Sequence, residues 1–433
     1  MKTGASILAG AKDRLIPASI PFRYFGAAIF FHAAMWFTLL LGAGEATGFT
    51  GGPGMGLAAL HLLTLGVLTT TAMGAAFQLL PVATRQAMPA LWPARLGFWL
   101  IVPGTLAMGH GTANGTVWAM ALGGGLSVAA LTIMGVLLAF NLMRARGLPL
   151  ISAHGGVALV SLAALLALAI ALVADFEYGF LPDHKAAAQA HMIVAGYGFM
   201  GMLVLGFSQV LVPMFALSPA PSKGLGRICL WLSIVALALG AGGALASSDT
   251  TMTAGLLAGL VAAAAHILAM SRSLRSRMRK RLGISFVMVR IAWILLPASL
   301  LVGLLDLHGF LGSVGGTFFG FVLFAGWLLT MLLAILQRIL PFLAAMHAAR
   351  PDGSGPLASQ LAGELPLRIG NACHLAALAI VAGGILSELA LLVRIGSAIG
   401  LLGALAFAIF GGTIIMRLVR VRADMRAATS DAA

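Results

Sequence analysis

The chain has little charge. Only 9% of its 433 residues are Asp, Glu, Lys or Arg, where a soluble globular chain carries about a quarter. No polar stretch is long enough to form a soluble domain, which excludes that class. Cysteine is nearly missing: Cys229 and Cys373 stand far apart, outside any CxxC spacing. That leaves no disulfide framework and no cysteine metal site, so each reads as a small apolar residue near an inner helix end. Phosphate-loop, dinucleotide, HExxH and GxSxG patterns are lacking, so nucleotide-driven and hydrolytic chemistry have no support. The segment up to Arg23 lacks the short apolar core and cleavage site of a secretory signal, and the first span is expected to be retained.

What is present is apolar. Hydrophobic residues make up 61% of the chain, in blocks of about twenty, the length that crosses a ~30 Å hydrocarbon core. The blocks predict spans at 22–42, 57–81, 94–110, 117–141, 152–174, 189–215, 227–247, 250–270, 285–305, 311–341, 370–392 and 396–418. The expected fold is an all-α polytopic membrane protein of about twelve spans, a single integral membrane domain over 1–433 whose main partner is the lipid bilayer.

A net charge of +14 in a soluble protein raises the question of nucleic acid. Here the basic residues sit in short connections between apolar blocks, and no nucleic-acid partner is expected. The connections holding Arg23, Arg85, Arg144, Lys223, the 272–281 cluster, Arg350 and Arg417 alternate with ones holding Glu45, Asp175, Asp183, Asp249 and Asp306. One side takes 23 of the 26 basic residues. That asymmetry predicts an even number of spans and both termini in the cytoplasm.

Three spans share one pattern. HLLTLGVLTTTAMGAAFQLLPV begins at His61, HMIVAGYGFMGMLVLGFSQVLVPMF at His191, and FGFVLFAGWLLTMLLAILQRILPF at Phe319. Each carries a glutamine shortly before a proline: Gln78 and Pro81, Gln209 and Pro213, Gln337 and Pro341. Gly74 and Gly206 lie seven residues before their prolines, with Ala334 in the third place. The prolines are separated by 132 and then 128 residues, so each repeat takes four spans, approximately 22–141, 152–270 and 285–418. The expected roles are structural. Proline stops the helix, the glutamine amide covers freed carbonyls, and the small residue admits a close neighbour.

Twelve spans in three arcs, with His61 and His191 opening the second and sixth, resemble subunit I of the haem-copper oxidase superfamily. His61 matches the family's low-spin haem ligand in order and depth. His191 falls near a copper ligand but lacks the following Pro-Glu. The tenth-span histidine pair is replaced by Phe319 and Phe321, and Leu230 to Gly243 holds no histidine for copper. The chain is more similar to the short oxidase-like and NnrS-like bacterial membrane proteins, through Pro21-Phe22-Arg23, the histidine-led second span, the sixth-span PMF and the tenth-span LQRILPF. That resemblance implies haem or copper binding in respiratory or nitric oxide-related physiology, without a complete oxygen-reducing centre. It also implies a possible neighbouring respiratory or membrane subunit.

Ten histidines are available. His32, His61 and His191 are expected in the outer or middle membrane and are the candidate haem or copper ligands, able to converge if their spans pack together. His154, His266, His347 and His374 read as interfacial on the inner side. The competing role for each candidate is a hydrogen bond between helices. Met35, Met192, Met200, Met202 and Met214 read first as core filling and second as Cu(I) ligands. A small-solute permease is the alternative function, and a ligand-free scaffold subunit a third.

Overall fold

The computed structural model describes residues 15–84, 86–145, 148–349 and 355–430. Lys2, Lys12, Arg14, Arg85, Arg146 and Arg350 of the basic side lie outside them. Every regular element among the described residues is helical. The twelve long helices are α1 (Ser19–Leu41), α2 (Met55–His61, Leu62–Thr69 and Thr70–Thr84 end to end), α3 (Trp92–Asn114) and α4 (Val117–Arg144). Next come α5 (Pro149–Tyr178), α6 (His184–Ile193, Val194–Gly201 and Met202–Ala216), α7 (Lys223–Leu245) and α8 (Asp249–Arg275). The last are α9 (Ile284–Leu307), α10 (Gly315–Phe321, Val322–Leu329 and Thr330–Ala348), α11 (Glu364–Leu386) and α12 (Ala390–Ser430).

Eleven of these are long and apolar enough to cross a membrane. The exception is α3, which is 23 residues long but diluted by Arg95, Thr105, His110, Thr112, Asn114 and several glycines. It packs along α4. The boundaries have local causes. Asp183, Ser222 and Ser248 cap α6, α7 and α8 by accepting from Ala186, Leu225 and Thr251 backbone N–H groups. Gly115 and Gly179 end α3 and α5 in the left-handed conformation.

The helices are not equivalent. In α2, α6 and α10, 56%, 72% and 78% of the most apolar stretch is buried, against 17–44% in the other spanning helices. Those three form the centre, and the rest face lipid on one side. Helix α12 packs along α1, α4 along α5 and α8 along α9, which closes a ring.

Each central helix carries an eight-residue π-helical stretch, at Leu62–Thr69, Val194–Gly201 and Val322–Leu329. The stretches are offset by 132 and 128 residues, as the prolines are. The stretch in α10 touches those in α2 and α6. Runs of π-helix this long are rare.

A second periodicity was not visible beforehand. The antiparallel pairs α3–α4, α7–α8 and α11–α12 each close on two glycines. Gly111 and Gly123 lie against the Met120 and Met108 backbone, Gly243 and Gly255 against Met252 and Gly240, and Gly384 and Gly396 against Val393 and Val381. A side chain at any of them meets the partner helix, so small residues set the helix spacing.

Two structural expectations change. Pro81, Pro213 and Pro341 do not stop their helices, which run on to Thr84, Ala216 and Ala348. Neighbouring helices hold the backbone in place past the proline. The glutamines do not cover carbonyls either. Gln337 pairs with Asn371 through two bonds of 2.6 and 3.2 Å. Gln209 reaches His154 at 3.5 Å. Gln78 is fully buried with neither amide atom bonded among the described residues. The small residues do meet expectation: a Cβ on Gly74 lies 2.8 Å from that of Tyr24, and one on Gly206 2.9 Å from that of His154.

Candidate metal centre

His61 closes the first helical segment of α2, one residue before the π-helical stretch. Its Nδ1 lies 3.0 Å from the Leu57 carbonyl oxygen, one turn back. A carbonyl only accepts, so Nδ1 carries the proton and donates. That leaves the Nε2 lone pair free, the arrangement that a metal-ligating imidazole uses. His191 stands three residues before the π-helical stretch of α6. Its Nδ1 is buried without a hydrogen-bond partner among the described residues. Both residues are half-buried. His61 and His191 thus take similar places on two different central helices, each just before the π-helical stretch.

His32 does not join them. Among the described residues no three His, Cys, Asp or Glu side chains gather into a metal-binding group. His32 is 3% exposed, and its Nε2 accepts from the Trp36 indole N–H at 3.2 Å. Because an indole nitrogen only donates, the His32 proton must sit on Nδ1. Neither nitrogen of the neutral ring then has a lone pair to give a metal. Its neighbour in charge is His374 of α11.

Three of the four inner histidines are buried in the helix packing, and His347 is half-buried. His154, His266 and His374 are 0%, 3% and 2% exposed. His266 and His374 each meet a polar group on a central helix, Ser208 for His266 and Thr330 for His374, whose Nε2 lies 2.8 Å from Thr330 Oγ1. Those polar residues, set in apolar runs, were the available signal. Met35, Met200 and Met202 are core residues, and Met214 is exposed.

The largest cavity described lies among α6 to α10 and measures about 80 Å³. Gln189, Tyr197, Ser233, Asp306 and Trp327 are among its lining. Tyr197 stacks on Trp327 with centroids 5.7 Å apart, and its hydroxyl bonds Ser299 at 2.8 Å. Neither this cavity nor two smaller ones touches His32, His61 or His191.

No known protein family's model matches the chain, and no curated protein does.

Proposed function

We propose that this is an oxidase-like integral membrane protein that holds a copper ion through His61 and His191, in respiratory or nitric oxide-related physiology. The single observation carrying the proposal is the matched placement of these imidazoles just before the π-helical stretches of two central helices, with His61 fixed by Leu57 in the tautomer that leaves Nε2 free. Copper fits the donor set. Two neutral imidazoles with no carboxylate suit a monovalent ion, because a divalent one leaves more uncompensated charge in an apolar surround. Haem does not fit as well: a macrocycle needs a slot beside its axial ligand, and no described cavity meets either histidine. No step is derived through haem.

When bound, copper supplies one-electron chemistry. The chain's own part is to hold His61 by its backbone bond and to hold His191 in α6. The orientation belongs to the same reading: a multi-pass protein of a bacterial inner membrane, both ends cytoplasmic, the histidine pair toward the outside. So do three similar four-helix units. The matched offsets of the π-helical stretches and the recurring glycine pairs support them.

Purified protein should carry copper by elemental analysis, and His61→Ala and His191→Ala should each lose it while staying folded. Copper-free protein from copper-replete cells, or unchanged copper in both variants, defeats the proposal. The cavity, with Gln189, Tyr197, Ser233 and Asp306 in a mostly apolar lining, favours passage of a small solute as a second reading. Solute uptake by proteoliposomes that survives His61→Ala would favour it.

A further inference from the structure

Arg272, Arg275, Arg277, Arg279, Lys280 and Arg281 crowd the junction of α8 and α9. The junction is pinned to the bundle. Met278 and Arg279 donate their backbone N–H groups to the Leu217 and Ala216 carbonyls at the end of α6, at 2.9 and 3.4 Å. Ser273, near the end of α8, donates to the Pro219 carbonyl at 2.6 Å. The chain then runs into α9, which opens at Ile284 with no side-chain cap.

Arg338 of α10 closes on that opening from the side. Its guanidinium bonds Ser285 Oγ and the Leu282 carbonyl, on either side of the first helical residue. Arg279, Lys280 and Arg281 precede Leu282 by three residues or fewer, so their Cα atoms lie within about 11 Å of its own. A half-buried cation is thus held at the positive end of a helix dipole, with three more cations beside it. Both of its hydrogen-bond partners are neutral. Arg277 is placed alike: Nη1 bonds the Leu274 carbonyl, and Nε is buried with no partner among the described residues. The ion pairs among the described residues join Asp175 to His184 and Glu364 to Arg368, so no carboxylate balances this charge. Cations gathered at a helix start and partly out of water are costly until an anion joins them.

The surroundings select the anion. The junction stands where membrane-crossing helices end, at the level of lipid headgroups. From it, Ile284, Val287, Ile294 and Leu301 form one exposed apolar stripe along α9. We infer that the α8–α9 junction and Arg338 bind the phosphate of an anionic phospholipid, whose acyl chain lies along that stripe. Guanidinium forks suit phosphate oxygens, and basic pockets between helix ends suit anionic headgroups. The site is independent of the copper reading.

Delipidated protein in a non-ionic detergent is titrated with phosphatidylglycerol, phosphatidylcholine or glycerol phosphate, and read by native mass spectrometry and thermal unfolding. Wild type should hold phosphatidylglycerol and unfold at a higher temperature with it. Phosphatidylcholine, which has the phosphate but no net charge, and glycerol phosphate, which has no chain, should both bind more weakly. Arg279→Ser with Arg281→Ser, both exposed positions, should weaken phosphatidylglycerol binding by about thirtyfold. Arg420→Ser with Arg422→Ser removes the same charge from the end of α12 and should leave that binding unchanged. Equal weakening in the two double variants, or phosphatidylcholine bound as tightly as phosphatidylglycerol, overturns the site. Glycerol phosphate bound as tightly as the lipid makes a soluble phosphate compound the occupant and overturns the lipid. The headgroup comparisons use wild type alone, so they decide the matter even where a variant fails to fold.

Discussion

Gly206 sits directly against His154, so that a methyl group in place of its hydrogen would come within 2.9 Å of the histidine Cβ. Helices α5 and α6 approach closely there because nothing projects between them. The neighbour is a short, buried stem and not a flexible tip, so it has little room to yield. Gly206→Val should cost about 1–3 kcal/mol by overpacking, read as a lower unfolding temperature in detergent. A variant as stable as wild type would show that the interface is looser than it looks.

The three glutamines at matched positions should respond differently. Gln337 and Asn371 exchange two amide bonds, so Gln337→Leu strands a buried Asn371 and should cost about 1–3 kcal/mol. Adding Asn371→Leu should restore part of that, because two apolar groups leave nothing unpaired. Gln78 has no partner to strand, so Gln78→Leu should be neutral or stabilising. Equal losses for Gln78→Leu and Gln337→Leu, by equilibrium unfolding, would refute the distinction.

Much of this architecture was legible because membranes impose a simple length and hydropathy rule. Eleven expected spans are long apolar helices, and only α3 drops below that measure, where Arg95, His110 and its glycines thin the apolar run. The central role of α2, α6 and α10 was readable from their shared pattern, since Gly74 and Gly206 mark close contacts. The partners of buried polar groups were not readable. Depth along a helix can be counted from sequence, but its rotation cannot when both faces are apolar. His266 and His374 could be placed by depth alone, and their bonds to Ser208 and Thr330 on neighbouring helices come only from the packing. His32 was grouped with His61 and His191 by depth, and the packing sets its ring against Trp36 instead.

Arg338 ties α10 to α9 at one edge of the bundle. Its Nε donates to Ser285 Oγ at 2.6 Å, its terminal nitrogen donates to the Leu282 carbonyl, and its guanidinium lies over the Phe286 ring at 5.7 Å. One planar fork serves all three contacts, which an ammonium on a flexible stem cannot do. Arg338→Lys should therefore lose nearly as much as Arg338→Met, about 1–3 kcal/mol in each case. Full rescue by lysine in thermal unfolding would mean that charge alone matters here.

His32 provides the sharpest check on how metal ligands are told from structural histidines. It lies in the membrane like His61 and has a neighbouring histidine, His374, but its Nε2 is already taken by Trp36. A ligand needs a free lone pair, and this ring has spent its only one on the indole N–H. His32→Ala should therefore leave copper stoichiometry at the wild-type value and cost stability instead. The loss should be about 1–3 kcal/mol, from the stranded Trp36 donor and the cavity left beside Phe407. Trp36→Phe should behave likewise, destabilising the protein without changing its copper content. A fall of one copper equivalent in His32→Ala, with the protein still folded by size exclusion and circular dichroism, would mean that Trp36 yields Nε2 to the metal and that hydrogen-bond occupancy does not sort these histidines.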